Sequence, residues 1–111
     1  LHTATAFLLA GARKVILVAR KAEGPLGVNQ AVEKLNSLAG ISGTAVGFAA
    51  DLSKLSEIER LVEWLREEDR IDILVANAAA TWGGPFEPTP DWAVSKVLDL
   101  NVRGIFNLAR L

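Results

Sequence analysis

The feature that most constrains the fold is the run Ile71-Asp72-Ile73-Leu74-Val75-Ala76, which ends abruptly in Asn77, Ala78, Ala79 and Ala80. Its length and its branched side chains predict a strand buried on both faces, as in a parallel sheet. At the carboxyl end of such a strand, small residues let a ligand approach the backbone, because nothing larger than a methyl stands in the way. Open α/β sheets bind their ligands at this edge. Taken alone, the same residues also read as a buried strand closed by a small-residue turn, so the rest of the chain has to decide.

The patterns on either side alternate. Leu1, Ala4 and Leu8 follow the spacing of a helix face, and Gly11 stands where a left-handed glycine ends a helix. Val15 to Ala19 predict a strand closed by Arg20 and Lys21. A loop with Gly24, Pro25 and Gly27 leads to a second helical stripe of Val28, Ala31, Val32, Leu35 and Leu38. Thr44 to Ala50 predict the next strand, weakened by Gly47, with Asp51 at its end. Ser53 is the expected N-cap of a helix whose stripe is Ile58, Leu61, Val62 and Leu65. After the strand at Ile71–Ala76 comes a loop marked by Gly83, Gly84, Pro85, Pro88 and Pro90. Thr89 is the expected cap, and Pro90 the first residue, of a last helix running to the end of the chain. Helix and strand in strict alternation predict βαβ units and a doubly wound parallel sheet.

Composition removes competing chemistries. With 12 Lys and Arg against 13 Asp and Glu, the chain has no block of either sign, hence no electrostatic footprint for nucleic acid or an acidic membrane surface. Without Cys there is no thiolate metal site or cysteine nucleophile, and His2 is the only histidine, so no His-based metal cluster forms and a Ser-His-Asp triad is not expected. No apolar run approaches the roughly 20 residues of a membrane span. No secretory leader is visible, and a cytoplasmic location is expected. Leu1 opens the sequence inside a helical pattern, and there is neither Met nor Tyr; on these grounds the chain is expected to be an internal piece of a longer protein.

Four positions could carry chemistry. In dinucleotide-binding folds an acidic residue after the strand holds the adenosine ribose, while an Arg accommodates a 2′-phosphate. Here Ala19-Arg20-Lys21 offers Arg20 and no carboxylate, and a guanidinium suits phosphate through two parallel charge-assisted bonds. The alternative is a solvated basic pair. Asp51 could accept a bond from an adenine amino group, with Leu52 offering its backbone N–H, or it could serve the start of the following helix. Asn101 shares a helical face with Val94, Val97, Leu98, Ile105 and Leu108. An inward amide costs roughly 1–3 kcal/mol unless its bonds are made, and Gly104 weakens the helix by about 1 kcal/mol relative to Ala. Together they predict a helix locally opened to admit a polar group, unless Asn101 is simply a satisfied core residue.

The corner Gly11-Ala12-Arg13-Lys14-Val15-Ile16, then Ala50-Asp51-Leu52, Leu74-Val75-Ala76-Asn77-Ala78-Ala79 and Leu100-Asn101-Val102-Arg103-Gly104, in this order and spacing, resemble the short-chain dehydrogenase/reductase family of the classical type. The resemblance covers nearly the whole chain. It implies a single Rossmann-like NAD(P)-binding domain over 1–111, a parallel sheet with helices on both faces, incomplete because the first strand with its glycine-rich loop and the C-terminal part would lie outside. It implies an alcohol–carbonyl oxidoreductase using NADP(H) in preference to NAD(H), acting on a small-molecule substrate, in a homo-oligomeric parent. By position, Arg20 would meet the 2′-phosphate, Asp51 and the Leu52 backbone would hold adenine, Asn77 would stand near the cofactor ribose, and Asn101 would match the catalytic Asn whose kinked helix offers a carbonyl to a relay water.

Where the family reads Asn-Asn-Ala-Gly, this chain has Ala76-Asn77-Ala78-Ala79; Ala79 is expected to cause a modest adjustment. The catalytic Tyr, Lys and Ser would follow Leu111, so the isolated chain is expected to be inactive and poorly stable, its sheet missing a central strand. Trp82 and Phe86, in the loop beside the expected substrate, suggest an apolar substrate surface, although loop aromatics as often pack down on their domain. A non-catalytic cofactor-binding relative or a Rossmann-like interaction module is the alternative reading.

Overall fold

A computed structural model describes residues 1–111. They form two compact units, 1–50 and 51–111. No helix is long and apolar enough to cross a membrane.

In the first unit, helix α1 (His2–Leu9) leads through Gly11, φ 95°, into strand β1 (Lys14–Ala19). Helix α2 (Val28–Asn36) then returns the chain to strand β2 (Thr44–Ala49). β1 and β2 pair in parallel, from Lys14 opposite Thr44 to Ala19 opposite Ala49. This βαβ unit is the Rossmann-like element that the alternation predicts. Its core is Ala4, Leu8, Leu35 and Ala45, flanked by Val15, Leu17, Val32, Leu38 and Ile41. Gly47 is a packing requirement rather than a weakness: a Cβ there would stand 2.7 Å from Val28 Cγ2 and 3.0 Å from Val32 Cγ2, so α2 lies close on the strand only because the position has no side chain.

β2 carries a second device. Asn36, at the end of α2, accepts the Ala45 N–H at 2.7 Å and donates its amide N–H to the Ala45 carbonyl at 3.0 Å. The side chain thereby gives the buried Ala45 the pair of bonds that a further strand would supply, and it closes that edge position to other partners.

The second unit contains helix α3 (Leu55–Leu65), helix α4 (Asp91–Leu98), a π-helical turn (Asp99–Gly104) and helix α5 (Ile105–Arg110). Ile58 and Leu61 of α3 are fully buried, and α3 packs on α5. The opening expected around Asn101 and Gly104 is therefore present, as one π-helical turn inside an otherwise α-helical run.

Four expectations need correction. The segment 71–76 is not a strand: it joins no ladder, the sheet consists of β1 and β2 alone, and Ile73 is 62% exposed. In the doubly wound order it is not a neighbour of β1 or β2, so its apolar residues have the composition of a buried strand but no backbone to pair with. Ser53 is not a cap; Lys54 occupies that position without a side-chain bond, because the Ser53 hydroxyl donates to Asp51 Oδ1 at 2.7 Å. Thr89 likewise bonds the Pro85 carbonyl, and Pro90 is the N-cap of α4 rather than its first residue. Finally, the buried seam of the last helical run passes through Ala93, Gly104 and Asn107, leaving Val94 and Leu98 exposed. Two of those three residues are among the smallest available, which permits the close approach described below.

Candidate functional site

The π-helical turn Asp99–Gly104 joins two of the segments singled out in the sequence. Asn101 reaches one of them with its side chain. Its Oδ1 accepts the Ala80 N–H at 2.8 Å, and its Nδ2 donates to the Ala80 carbonyl, also at 2.8 Å. Ala80 ends the run that begins at Ile71, so the run is pinned at its small-residue end by a side chain that does the work of a strand. Asn77 lies three residues before the pinned point; its N–H donates to the Val75 carbonyl at 2.9 Å, and the residue is exposed. No residue other than glycine has a positive φ, so Ala79 sits in ordinary backbone and the change from the family's glycine causes no strain.

Gly104 reaches the other segment. A Cβ on it would overlap the Leu52 carbonyl oxygen and stand 3.1 Å from the Asp99 carbonyl. The π-helical turn and the chain at Leu52 are thus in direct backbone contact, which only glycine allows. Next to Leu52, the Asp51 carboxylate is oriented by the turn it belongs to. Its Oδ1 accepts from the Ser53 N–H at 3.1 Å and from the Ser53 hydroxyl, and Lys54 Nζ lies 3.9 Å from Oδ2. The second sequence reading of Asp51, as a group serving the start of the next helix, is what these bonds express. The turn is tightened further by Glu57. Its carboxyl is held below the ordinary carboxylate value by the hydrogen-bonded Arg60, aided by a bond to the Asp51 backbone and the charge of Lys54.

Arg20 belongs to the first unit, where it is exposed directly after β1. Glu23, the carboxylate in the loop that follows, accepts from the Asn29 amide at 2.6 Å. The first N–H groups of α2 are also taken, Val28 by the Lys21 carbonyl and Asn29 by the Ala22 carbonyl. An anion at this strand end would therefore be met by side-chain cations rather than by the helix terminus.

The structure brings Asp51, Leu52 and Asn101 onto segments tied to one π-helical turn, with Asn77 three residues from its clamp. Sequence reasoning missed Ala80, whose backbone is the partner of Asn101 and whose methyl side chain carries no chemical signal. It also missed Trp92, whose ring meets that of Trp82 edge-on with centroids 4.7 Å apart and planes at 77°. Nothing periodic links these two tryptophans, because a turn separates them.

A 3-oxoacyl-(acyl-carrier-protein) reductase of rhamnolipid biosynthesis from Pseudomonas aeruginosa is 39% identical over 66 residues, which are 59% of this chain and 26% of that protein. The solved active-site complex of Pseudomonas aeruginosa RhlG with NADP superposes with a TM-score of 0.82 at 35% identity, over 96% of this chain and 39% of that one. An NADH-dependent reductase, A1-R′, solved with NAD, superposes with a TM-score of 0.78 at 31% identity, over 97% of this chain and 43% of the other. The chain thus spans well under half the length of these relatives. The model of the short chain dehydrogenase family matches residues 1–111, and the chain belongs to the short-chain dehydrogenase/reductase family of oxidoreductases.

Proposed function

We propose that this chain forms the cofactor side of an NADP(H)-dependent oxidoreductase that interconverts an alcohol and a carbonyl. The observation that carries the reading is the π-helical turn Asp99–Gly104, which ties the Ala80 end of one segment and the Asp51–Leu52 turn to a single backbone feature. Such turns within α-helices are rare and concentrate at functional sites.

Each unit, taken by itself, offers groups suited to part of a phosphorylated dinucleotide. Arg20 supplies an exposed cation, with the loop carboxylate Glu23 already engaged by Asn29. Asp51 supplies an oriented acceptor for an amino group, and Leu52 adds a backbone N–H beside it. Asn77 offers a polar group in a stretch that otherwise presents only methyl side chains. When bound, the nicotinamide would deliver hydride to the substrate carbon or take it from there.

In this reading Asn101 positions rather than transfers. Its side chain holds Ala80, and the role assigned to its main-chain carbonyl, within the widened turn, is to orient a relay water. Proton donation falls to groups outside this chain, which has no Tyr and whose only His is His2. The isolated chain should therefore show no turnover with NADPH and any carbonyl, and nucleotide oxidation by it above the uncatalysed rate would overturn the division of labour.

Cofactor preference gives the sharper test. In the full-length protein, Arg20→Asp should weaken NADPH binding by about ten- to a hundredfold, the loss of a charge-assisted hydrogen bond, while NADH binding improves. Equilibrium titration with both nucleotides measures this; an unchanged ratio would remove Arg20 from the phosphate site. Tight NADPH binding without turnover would leave the cofactor site standing and point to a non-catalytic relative.

A further inference from the structure

The two groups assigned to adenine, the Asp51 carboxylate and the Leu52 N–H, belong to neighbouring residues. Two such groups read a base edge only if their spacing is set before the ligand arrives, because a misaligned donor or acceptor loses most of its hydrogen bond. The chain holds this dipeptide at both ends. At one end the Leu52 carbonyl lies so close to Gly104 that a methyl there would overlap it. At the other end the Asp51 backbone N–H donates to the Glu57 carboxylate. Resting on the reading of Asp51 and Leu52 as the adenine-holding pair, we propose that Glu57 is a positioning residue for the cofactor, which sets how strictly the site selects adenine over other purines.

The local chemistry explains why Glu57 reaches back to Asp51. Lys54 is the N-cap of α3 and Glu57 stands three residues later, the spacing at which a Glu turns back to the N–H of the N-cap. Here that N–H is taken, since Lys54 donates it to the Asp51 carbonyl at 3.0 Å. The Glu57 carboxylate meets the Asp51 N–H instead. Arg60, about one turn further along α3, donates to Glu57 Oε2 at 2.8 Å and keeps the carboxylate both aimed and ionised.

With the Ser53 N–H and hydroxyl on Asp51 Oδ1, the side chain, the N–H and the carbonyl of Asp51 are each met by a residue of the same short stretch. The Glu57 and Arg60 side chains are 35% and 51% exposed, and an exposed pair of this kind contributes little to global stability. Its bond to Asp51 acts locally, so its loss is read at the base rather than in unfolding.

The test titrates the full-length protein with NADPH and with its hypoxanthine analogue, in which a carbonyl replaces the adenine amino group and the adjacent ring nitrogen carries a proton. Both hydrogen bonds are then opposed, so the wild type should bind NADPH at least about tenfold more tightly, the worth of one net hydrogen bond or more. In Glu57→Ala the ratio should fall to about threefold or less as the pair loses its alignment. In Glu57→Gln, whose amide oxygen still accepts the Asp51 N–H, most of the ratio should persist. Glu63→Ala removes a second Glu–Arg pair farther along the helix, Glu63 to Arg66 at 3.3 Å, and should leave the ratio unchanged. A ratio kept in Glu57→Ala would overturn the role of Glu57 while the adenine reading stands. An equal loss in Glu63→Ala would also overturn it, by assigning the effect to the helix as a whole. A wild type that binds both nucleotides equally would overturn the adenine reading itself, and this proposal with it.

Discussion

Gly104→Ala should destabilise the full-length protein by about 2 kcal/mol, an inference from two opposed effects. In a helical run Ala is worth about 1 kcal/mol more than Gly, so a position free of contacts would gain from the change. Here the new methyl would overlap the Leu52 carbonyl oxygen and crowd the Asp99 carbonyl. Overpacking of this kind costs typically 1–3 kcal/mol and more when the neighbour cannot rotate away. A backbone carbonyl cannot, so the collision wins. Gly83→Ala is the matched control, since a Cβ there meets nothing within 4 Å, and it should change stability by a few tenths of a kcal/mol at most. Denaturant midpoints of the two variants check both. A Gly104→Ala protein as stable as the wild type would mean that the turn and Leu52 separate freely. The same change should weaken NADPH binding, because Leu52 carries the backbone N–H assigned to adenine.

How far the sequence foretells this arrangement depends on whether a residue's partner is local. The stripes of α1, α2 and α3 and the short runs of β1 and β2 depend on a periodicity that each segment carries within itself, and their bounds lie within a residue or two of the expected ones. The segment 71–76 has the same kind of signal, but a strand exists only through its neighbour, and the central strand expected beside it is the one already missing from the expected sheet. The caps fail for a related reason. Ser53 and Thr89 are both suited to capping, yet each hydroxyl finds a nearer acceptor, Asp51 Oδ1 and the Pro85 carbonyl. Several acceptors within one turn compete, and sequence does not rank them.

The candidate site was legible where a residue was out of character with its surroundings. An amide on an apolar helical face, with a glycine three residues later, is a local contradiction, and the π-helical turn resolves it. The partner of that amide was not legible, because Ala80 contributes its backbone and any residue type would have looked the same. Asn36 makes the same point in the first unit: its grip on Ala45 uses the same two bonds as Asn101 on Ala80. Gly47 and Gly104 both read as local weaknesses, and both turn out to be contact points whose partners come from elsewhere in their own unit.

Asn101 distinguishes a side chain that holds the site together from one that merely fills space. Asn101→Ala removes both bonds to Ala80. The residues are only partly buried, so water replaces some of what is lost, and the expected cost is about 1–2 kcal/mol, the lower part of the range for an abandoned polar group. Asn101→Asp is the more telling change. It keeps the shape and the acceptor for the Ala80 N–H, but it replaces the donor facing the Ala80 carbonyl with a second anionic oxygen. Repulsion there should make Asp at least as destabilising as Ala near neutral pH, although it is nearly isosteric with Asn. Release of Ala80 also frees the segment that carries Asn77, and a displacement of about 1 Å at a reacting centre costs on the order of a hundredfold in rate. Single-turnover reduction by full-length Asn101→Asp should therefore fall by about that factor, with NADPH affinity reduced far less. Wild-type stability and turnover in Asn101→Asp would show that the main-chain carbonyl of residue 101 suffices and that the grip on Ala80 is incidental.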